Sequence, residues 1–303
     1  MRAVVVRDPG GPEALTLVDV PPPRPERGEV LIEVEAVGVN PVDLGTRADP
    51  SWAGVSPPYV VGYELAGRVV ETGEPVWALL PVQGTRQGAL AERVVVAREY
   101  VAPRPPELDP IVAAALPMAG STALQVLQRM PLTAGSWVLV HGAAGGVGHL
   151  LVQMARGLGL RVAAASRPHD RRRLEELGVD LWLDRAEPAP AEAAVAGLGH
   201  ELDAVVDLVG GQLEPSLPFV RVGGHAATIV DLSGDLDLAI DRNIDLHGVL
   251  MRAGRDRLYE LAAEVAAGVR PHVTDTYPLE RVADAHRRLE AGRVGGKLVI
   301  TVS

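Results

Sequence analysis

The chain has 303 residues, enough for two domains that each bury a full core, and its hydrophobic content of 47% excludes intrinsic disorder. It contains no cysteine, which excludes disulfides, iron–sulfur clusters, cysteine nucleophiles and thiolate zinc sites. The net charge of −10 argues against nucleic acid as a main partner.

Residues from Met1 to about Glu107 predict many short strands separated by turns. Glu29–Val39 alternates apolar and charged positions, which is typical of a half-buried strand. Short strands at near-regular spacing indicate a β-barrel-like or sandwich domain. The other strands expected here are Ala3–Val6, Leu15–Val20, Glu64–Glu71, Pro75–Leu80 and Leu90–Val96.

The pattern changes after Pro110. Ile111–Gln128 is rich in alanine and has helical periodicity, and strands and helices then alternate, which predicts a doubly wound parallel sheet. The tail from Val273 reads strand, helix and strand, and we expect it to rejoin the first domain. The expected strands are Arg161–Ala165, Leu181–Asp184, Ala204–Val209, His225–Val230 and Leu246–Met251, and the expected helices are Pro168–Leu177, Glu192–Gly197, Leu213–Val220, Asp256–Ala267 and Leu279–Ala291.

The stretch Ser136–Leu150 predicts a dinucleotide site. An apolar run, Trp137–Val140, is followed by a turn of small residues, Gly142–Gly148, and then by apolar residues at helical spacing. A strand, turn and helix in this order present backbone N–H groups and a positive helix end to a pyrophosphate. Ala143 stands where the fingerprint has its first glycine, so the flanking strand and helix carry the prediction. The alternative is a glycine-rich turn in an ordinary α/β core.

The end of the second strand of this unit favours NADPH. A carboxylate there would bind a ribose 2′-hydroxyl and repel a 2′-phosphate. The chain instead has Ser166 and Arg167, with Arg171 close behind, and guanidinium groups suit a phosphate dianion. The alternative is a solvated helix face on which the arginines, Arg172 and Arg173 above all, pair with nearby glutamates.

Six motifs follow one another in a characteristic order: Asn40–Asp43, Gly62–Gly67, Gly88–Glu92, Ala114–Ala123, Val138–Gly148 and Gly295–Lys297. Together they resemble the zinc-independent quinone oxidoreductases, a family of the medium-chain dehydrogenase/reductase superfamily that includes zeta-crystallin. The resemblance covers essentially the whole chain. It implies an α/β protein with a GroES-like β-rich catalytic domain at residues 1–114 and 252–303, and a Rossmann NADPH-binding domain at 115–251.

The resemblance also implies the residues of the site. Asn40 and Thr122 would approach the nicotinamide or the substrate, and the turn around Ala144–Val147 would bind the pyrophosphate. Tyr63 is a candidate proton donor or stacking partner for an aromatic acceptor, with simple packing as the alternative. The implied cofactor-binding set is Asn40, Thr122, Ala144, Gly145, Gly146, Val147, Ser166, Arg167, Arg171, Val209, Gly210 and Lys297.

Several of the candidate residues also have a purely structural explanation. Asn40 could simply cap a turn after its strand, and Asp43 could cap a helix or orient Asn40. Glu64 is expected to be a structural partner rather than a general base. Lys297 is the only lysine of the chain, yet a charge that opens a last strand is ordinarily a solvated feature. Thr122 stands at a helix entry, which already explains a threonine.

No metal site is predicted. Zinc-containing relatives carry a histidine between the glycine and the glutamate of the Gly62–Gly67 motif, where this chain has Tyr63, and no cysteine is available as a ligand. Hydride transfer without a metal suits a quinone or an α,β-unsaturated carbonyl, because their reduced anions are delocalised. The leading hypothesis is therefore an NADPH:quinone oxidoreductase. An NADPH-dependent enoyl or enone reductase is the nearest alternative.

Two departures from the family pattern leave room for other functions. The tyrosine common after the Asn40–Asp43 motif is replaced by Leu44, which keeps a non-catalytic NADPH-binding protein in view. Asp170 stands where relatives often have a lysine, so Arg167 or Arg171 must take its role at the 2′-phosphate.

Neither targeting nor membrane insertion is expected. Met1–Arg7 reads as a short strand rather than a signal peptide. The most apolar segment, residues 138–155, contains His141 and His149, which argues against a membrane span. We expect a cytoplasmic homodimer, with Leu246–Met251 as the sheet edge that pairs across a two-fold axis.

Overall fold

The structure of the protein is a computed structural model in which residues 1–85 and 87–302 are described. It divides into two compact units, Met1–Ser121 together with Arg252–Ser303, and Thr122–Met251. From the sequence, the first boundary is expected after residue 114; in the structure it falls after Ser121, inside a helix. Among the helices of the described part, none is both long and apolar enough to cross a membrane.

The strands and helices are numbered in chain order. The strands are β1 (Arg2–Val6), β2 (Leu15–Asp19), β3 (Glu29–Val39), β4 (Tyr59–Val60), β5 (Glu64–Val69), β6 (Pro75–Leu79), β7 (Arg93–Ala97), β8 (Val101–Pro103), β9 (Trp137–His141), β10 (Arg161–Ser166), β11 (Leu181–Asp184), β12 (Leu202–Asp207), β13 (Val220–Thr228), β14 (Asp245–Gly248), β15 (Val273–Pro278) and β16 (Lys297–Thr301). The helices are α1 (Pro41–Ala48), α2 (Pro110–Ala114), α3 (Pro117–Arg129), α4 (Gly148–Gly157), α5 (Arg171–Glu176), α6 (Pro190–Leu198), α7 (Leu213–Ser216), α8 (Asp237–Asp241), α9 (Arg255–Ala266) and α10 (Val282–Glu290).

The first unit is rich in β-structure, as predicted. Its strands form a three-stranded sheet, in the order β2-β1-β4, and a seven-stranded sheet, in the order β15-β16-β3-β5-β6-β8, with β7 also paired to β3. The long strand β3 organises the larger sheet, because it pairs antiparallel with β16, β5 and β7 along successive parts of its length. Its apolar positions, such as Ile32 and Val34, are buried and fill the core of this unit. The tail strand β16 thus rejoins the first domain.

The second unit is the predicted doubly wound parallel sheet. Its six strands lie in the order β11-β10-β9-β12-β13-β14, and every pairing is parallel. The chain order therefore reverses between β9 and β12, and ligands of such sheets bind outside the carboxyl ends of the strands at this switch point. Strand β9 lies between two neighbours, and Val138, Leu139 and Val140 are fully buried, which explains its unbroken apolar run.

The motif Asn40–Asp43 begins helix α1, with Asn40 as its N-cap and proline at its first position, so the helix-capping role considered for Asp43 is present. Two local predictions are wrong. The helix expected over Ile111–Gln128 is interrupted, because Pro117 has no N–H to donate and starts α3 anew. The edge strand expected over Leu246–Met251 ends at Gly248.

Candidate active site

Three buried polar side chains meet in the first unit, each next to an end of a strand. Asn40 follows β3, Glu64 opens β5 and Lys297 opens β16. Strand β3 pairs with both β5 and β16, so the sheet register brings these strand ends side by side. The three side chains are 5%, 0% and 3% exposed, and they form what we call the buried polar cluster.

The Glu64 carboxylate accepts three hydrogen bonds. Its Oε1 accepts from Asn40 Nδ2 at 2.7 Å and from Lys297 Nζ at 2.8 Å, and its Oε2 accepts from the backbone N–H of Met118 at 2.7 Å. Lys297 Nζ also donates to the Val39 carbonyl at 3.1 Å and to Asn40 Oδ1. All three ammonium hydrogens therefore have acceptors, which offsets the large desolvation cost of burying the pair.

The expectation that Lys297 is a solvated charge is wrong. Strand β16 is not an edge strand, because it pairs with β15 on one side and β3 on the other. The ammonium is consequently buried and points into the cluster, where it pairs with Glu64. Glu64 has the role of structural partner that the sequence predicts.

Gly38 makes room for the Glu64 side chain. A Cβ at this position would lie 2.2 Å from Glu64 Oε1 and 2.4 Å from the Ala114 carbonyl oxygen. Both distances are far below van der Waals contact, so no larger residue fits here unless both the Glu64 carboxylate and the Ala114 carbonyl move. The cluster thus depends on a glycine near the end of strand β3, where the missing side chain allows the close approach of Glu64.

Asp43 lies against the cluster from helix α1. Its Oδ2 accepts the backbone N–H of Asn40 at 2.7 Å, which is one half of a capping box. Burial raises the pKa of Asp43 to about 7, and the nearby Glu64 carboxylate also raises it. The backbone N–H of Asn40 and the Lys297 ammonium act in the opposite direction. Asp43 therefore fixes the backbone of Asn40 and titrates near neutral pH.

The raised pKa of Asp43 predicts a measurable pH dependence of stability. The folded state binds this proton more tightly than the unfolded chain, so the stability that protonated Asp43 contributes is fully present below the ordinary pKa of 3.8 and is lost as pH rises toward about 7. Between pH 5 and 6.5, the free energy of unfolding of wild type should fall by about 2 kcal/mol relative to that of Asp43→Asn, because the variant has no charge to bury. Urea unfolding at several pH values measures this difference.

A matched control comes from the exposed Asp49. Hydrogen bonds from Ser51 lower the pKa of Asp49, so Asp49→Asn should differ from wild type by a constant amount over the same pH range. Parallel stability curves for Asp43→Asn and wild type would contradict the assignment.

Tyr63 is buried beside the cluster, and its hydroxyl lies 2.9 Å from Thr46 Oγ1. Thr46 Oγ1 in turn donates to the Val42 carbonyl at 3.0 Å. Burial raises the pKa of Tyr63 to about 12, which makes the phenol a weak acid at neutral pH. Of the roles considered for Tyr63, these contacts favour packing over proton donation.

In the second unit, the turn between β9 and α4 has the close packing that a dinucleotide turn needs. Gly142 has a φ of +77°, and the N–H of Gly145 donates to its carbonyl at 3.0 Å. A Cβ on Gly148 would lie 2.3 Å from the Gly142 carbonyl oxygen and 2.7 Å from Ala143 Cα. Only glycine lets the start of α4 approach the turn this closely.

Arg173 supports this turn, and the sequence did not predict that role. Its Nη2 donates to the Ala144 carbonyl at 2.9 Å and pairs with Asp170 at 3.1 Å. The alternative of a solvated helix face therefore does not hold for Arg173, whereas it holds for Arg172, whose side chain is 90% exposed and paired with Glu176. The Asp170 carboxylate, which stands where relatives often have a lysine, holds Arg173 in place.

The end of β10 carries the residues predicted for the ribose phosphate. Ser166 is buried; its hydroxyl accepts from Trp182 Nε1 at 2.9 Å and donates to the Arg167 carbonyl at 3.2 Å. The Arg171 guanidinium lies over the Trp182 ring, 5.0 Å from its centroid, and pairs with Glu175 at 2.7 Å. Trp182 thus positions both a hydroxyl and a guanidinium at the carboxyl end of β10, a role that its place in a short apolar strand did not predict.

Asp207 organises the loop that contains Val209 and Gly210. It is fully buried at the end of β12; its Oδ1 accepts the N–H groups of Val209 and Gly210 at 2.9 Å each, and its Oδ2 accepts that of Gln212 at 2.7 Å. A Cβ on Gly142 would lie 2.7 Å from Val209 Cγ1, so this loop adjoins the turn after β9. The sequence did carry a signal for this role, since an aspartate stands between an apolar strand and two glycines.

The structure brings the predicted residues together in two groups. Asn40 and Lys297 share the buried polar cluster of the first unit. In the second unit, Gly142 lies against Val209, and Arg173 of α5 binds Ala144, so the turn, the loop after β12 and the helix after β10 adjoin one another. Thr122 is a buried residue of α3.

The buried polar cluster does not fit a catalytic zinc ion. Zinc sites use cysteine, histidine and carboxylate ligands, and here Glu64 is neutralised by an ammonium while the residue before it is a hydrogen-bonded tyrosine. Bringing zinc to Glu64 would place a second cation beside Lys297. No step of a reaction is therefore assigned to a metal at this position.

A pyridine dinucleotide, in contrast, fits the second unit. The close approach of Gly148 to the turn, which only glycine permits, and the backbone N–H groups oriented by Asp207 match its pyrophosphate. The end of β10, with Ser166 and its arginine neighbours, matches its ribose. The residues that would hold it are those of the turn Ala144–Val147, the loop with Val209 and Gly210, and Ser166 with its arginine neighbours.

Comparisons with known proteins agree with this description. The alcohol dehydrogenase GroES-like domain family matches residues 26–106, and the zinc-binding dehydrogenase family matches residues 162–300. The quinone oxidoreductase of Lama guanicoe is 31% identical over 99% of this chain and 97% of its own length. The chloroplastic NADPH-dependent alkenal/one oxidoreductase of Arabidopsis thaliana is 31% identical over 99% of this chain and 79% of its own length.

Among solved structures, the quinone oxidoreductase from Thermus thermophilus, which was also determined in complex with NADPH, superimposes with a TM-score of 0.85. It is 34% identical, and the match covers 100% of both chains. A Rossmann unit joined to a GroES-like unit defines a medium-chain dehydrogenase/reductase that depends on a pyridine nucleotide. Within that superfamily, the chain belongs to the quinone oxidoreductase-like family.

Proposed function

We propose that the protein is an NADPH-dependent reductase that transfers a hydride to a quinone or a similarly conjugated carbonyl, without a metal. The observation that carries the proposal is the pairing of Lys297 with Glu64 and Asn40. Because of this pairing, the buried polar cluster offers the side-chain amide of Asn40 but no set of ligands for zinc. Such a site provides hydrogen bonds but no Lewis acid. It suits acceptors whose reduced anion is delocalised and weakly basic.

The reaction needs little from the protein beyond position and electrostatics. The bound cofactor supplies a hydride, and a proton from water completes the conversion of a quinone into a hydroquinone. An ordinary ketone would instead yield a strongly basic alkoxide, which other dehydrogenases stabilise with zinc. The chemistry thus favours conjugated acceptors.

Asn40 is the proposed contact to the acceptor oxygen or the nicotinamide carboxamide. An asparagine amide has two N–H groups, and one of those of Asn40 binds Glu64. Glu64 and Lys297 hold the two ends of this amide, and Asp43 holds the Asn40 backbone. These three residues are positioning residues, and Asn40 is the proposed catalytic one. Thr122 keeps its predicted role as a contact to the nicotinamide or the substrate.

The second candidate is an enone reductase of the same fold. The alkenal/one oxidoreductase relative favours it, since the match covers 99% of this chain. A reductase of this kind transfers hydride to the β-carbon of a conjugated carbonyl and needs a firmer proton donor. The high pKa of Tyr63 and its bond to Thr46 make that residue a poor donor, which is why we rank quinones first.

A panel of acceptors tests the proposal. NADPH oxidation is followed with small quinones, with α,β-unsaturated ketones and without acceptor. We expect turnover with quinones to exceed that with enones. Turnover with enones alone would favour the second candidate, and tight NADPH binding without turnover on any acceptor would indicate the non-catalytic binding protein.

The preference for NADPH over NADH rests on Ser166, Arg167 and Arg171. We expect the combined variant Arg167→Ala and Arg171→Ala to lose about tenfold of this preference, because a phosphate dianion would lose charge-assisted hydrogen bonds. Dissociation constants for both cofactors, from nicotinamide fluorescence, measure it. Arg172→Ala is the matched control, since Arg172 has the same kind of pairing with a glutamate but points to solvent. An unchanged preference in the double variant would refute this account of the 2′-phosphate site.

A homodimer and a cytoplasmic location stay predictions. Strand β14 lies at the edge of the parallel sheet, and Leu250, just beyond it, is 72% exposed. An exposed strand edge with an apolar neighbour supports pairing with a second copy. Analytical ultracentrifugation tests the dimer directly.

A further inference from the structure

Two histidines and an aspartate lie close together at one edge of the second unit's sheet, on strands β13 and β14. His225 stands directly opposite Asp245 in the parallel register, and His247 follows Asp245 by two residues. Side chains at positions two apart point to the same face of a sheet. The register therefore places two imidazoles and one carboxylate on one face, and we call them the edge triad.

The donor atoms of the edge triad converge. His247 Nε2 lies 3.4 Å from His225 Nδ1, and His225 Nδ1 lies 3.6 Å from Asp245 Oδ2. All three donor atoms fall within 4.8 Å of one another. In a tetrahedral zinc site with bonds of about 2.0–2.1 Å, neighbouring ligand atoms are roughly 3.3–3.4 Å apart. The spacing between the two imidazole nitrogens matches the edge of such a tetrahedron, and the spacing between His225 and Asp245 exceeds it by about 0.2 Å.

The charges around the edge triad also bear on cation binding. The cations nearby are Arg221, which faces His225 and is paired with Asp203 at 2.6 Å, and Arg129, which faces His247. Asp245 provides the negative charge that a divalent cation needs.

The edge triad is separate from the residues assigned to the dinucleotide. His225 precedes the end of β13 at Thr228 by three residues, or about 10 Å along the strand, whereas dinucleotides bind beyond the carboxyl ends. His225 is buried, while Asp245 is exposed and His247 half-buried, so an ion could enter from the solvent side. The triad does not contribute to the proposed reductase chemistry.

We propose that His225, Asp245 and His247 bind one divalent late first-row transition metal ion, with Zn²⁺ as the natural probe, and that this ion ties the edge strand β14 to β13. Two imidazoles and a carboxylate are a donor set that zinc, cobalt and nickel accept readily. Three protein ligands leave a fourth position for water or another ligand. The ion is structural here, because it joins neighbouring strands at a sheet edge.

The test uses the untagged full-length protein after treatment with a chelator. Zn²⁺ binding is measured by competition with a chromophoric indicator, and Co²⁺ is added separately to record its visible absorption. We expect one ion per chain, an intense tetrahedral Co²⁺ spectrum and a rise in the melting temperature with Zn²⁺. His247→Gln and Asp245→Asn should each weaken Zn²⁺ binding tenfold or more and abolish the rise.

His200→Gln is the matched control, since His200 is an exposed histidine of the same unit that lies outside the triad. It should bind Zn²⁺ as wild type does. Failure to saturate at one ion per chain would overturn the proposal, as would equal affinities in wild type and in both triad variants. Neither readout depends on turnover, so the result is independent of the proposed function.

Discussion

Replacing Lys297 by methionine is expected to lower the free energy of unfolding by about 3 to 5 kcal/mol. The ammonium is 3% exposed and gives Glu64 one of its three hydrogen bonds, so its removal leaves a fully buried carboxylate without its countercharge. Methionine nearly preserves the length and volume of the side chain, so loss of packing contributes little. Urea unfolding at pH 7, followed by circular dichroism, measures the change.

Two variants separate the charge effect from a general one. Arg293→Met removes an exposed positive charge four positions earlier and should change stability by less than about 0.5 kcal/mol. Lys297→Met combined with Glu64→Gln replaces the ion pair by neutral groups and should recover a substantial part of the lost stability. If Lys297→Met alone stayed within about 1 kcal/mol of wild type, the buried ion pair would not be the element that holds the cluster together.

The same residue shows where prediction from the sequence ends. The parallel sheet of the second unit follows from local patterns, since apolar runs, small-residue turns and helical spacing are all properties of neighbouring residues. The burial of Lys297 does not follow from local patterns, because it depends on β16 lying between β15 and β3, and β3 is far away in the chain. A charge at the start of a strand has the same local appearance whether the strand is central or at an edge.

Some missed features did leave a local signal. Asn40, Pro41 and Asp43 have the spacing of a helix N-cap, a first-turn proline and a capping-box acid, and α1 starts there. Gly38, inside an otherwise apolar and charged strand pattern, marked the close approach of Glu64. The edge triad is different, because only the parallel register between β13 and β14 places His225 beside Asp245.

Replacing Gly148 by alanine is expected to weaken NADPH binding roughly a hundredfold, or about 3 kcal/mol, which is the upper end of the cost of overpacking. The added Cβ would lie 2.3 Å from the Gly142 carbonyl oxygen and 2.7 Å from Ala143 Cα. Both are backbone atoms, so no side chain can rotate away. Either the turn or the start of α4 must shift, and the amides of Ala144–Val147 then lose the geometry that a pyrophosphate requires.

The chain offers a closely matched control at the other end of the same helix. A Cβ on Gly157 would meet nothing within 4 Å, so Gly157→Ala should leave NADPH affinity unchanged. Quenching of intrinsic tryptophan fluorescence on titration with NADPH gives the dissociation constants, and circular dichroism verifies that both variants are folded. Equal affinities for Gly148→Ala and Gly157→Ala would mean that NADPH does not bind at this turn. A loss confined to Gly148→Ala would tie the cofactor to the contact between α4 and the turn after β9, because the two variants add the same methyl group to the same helix.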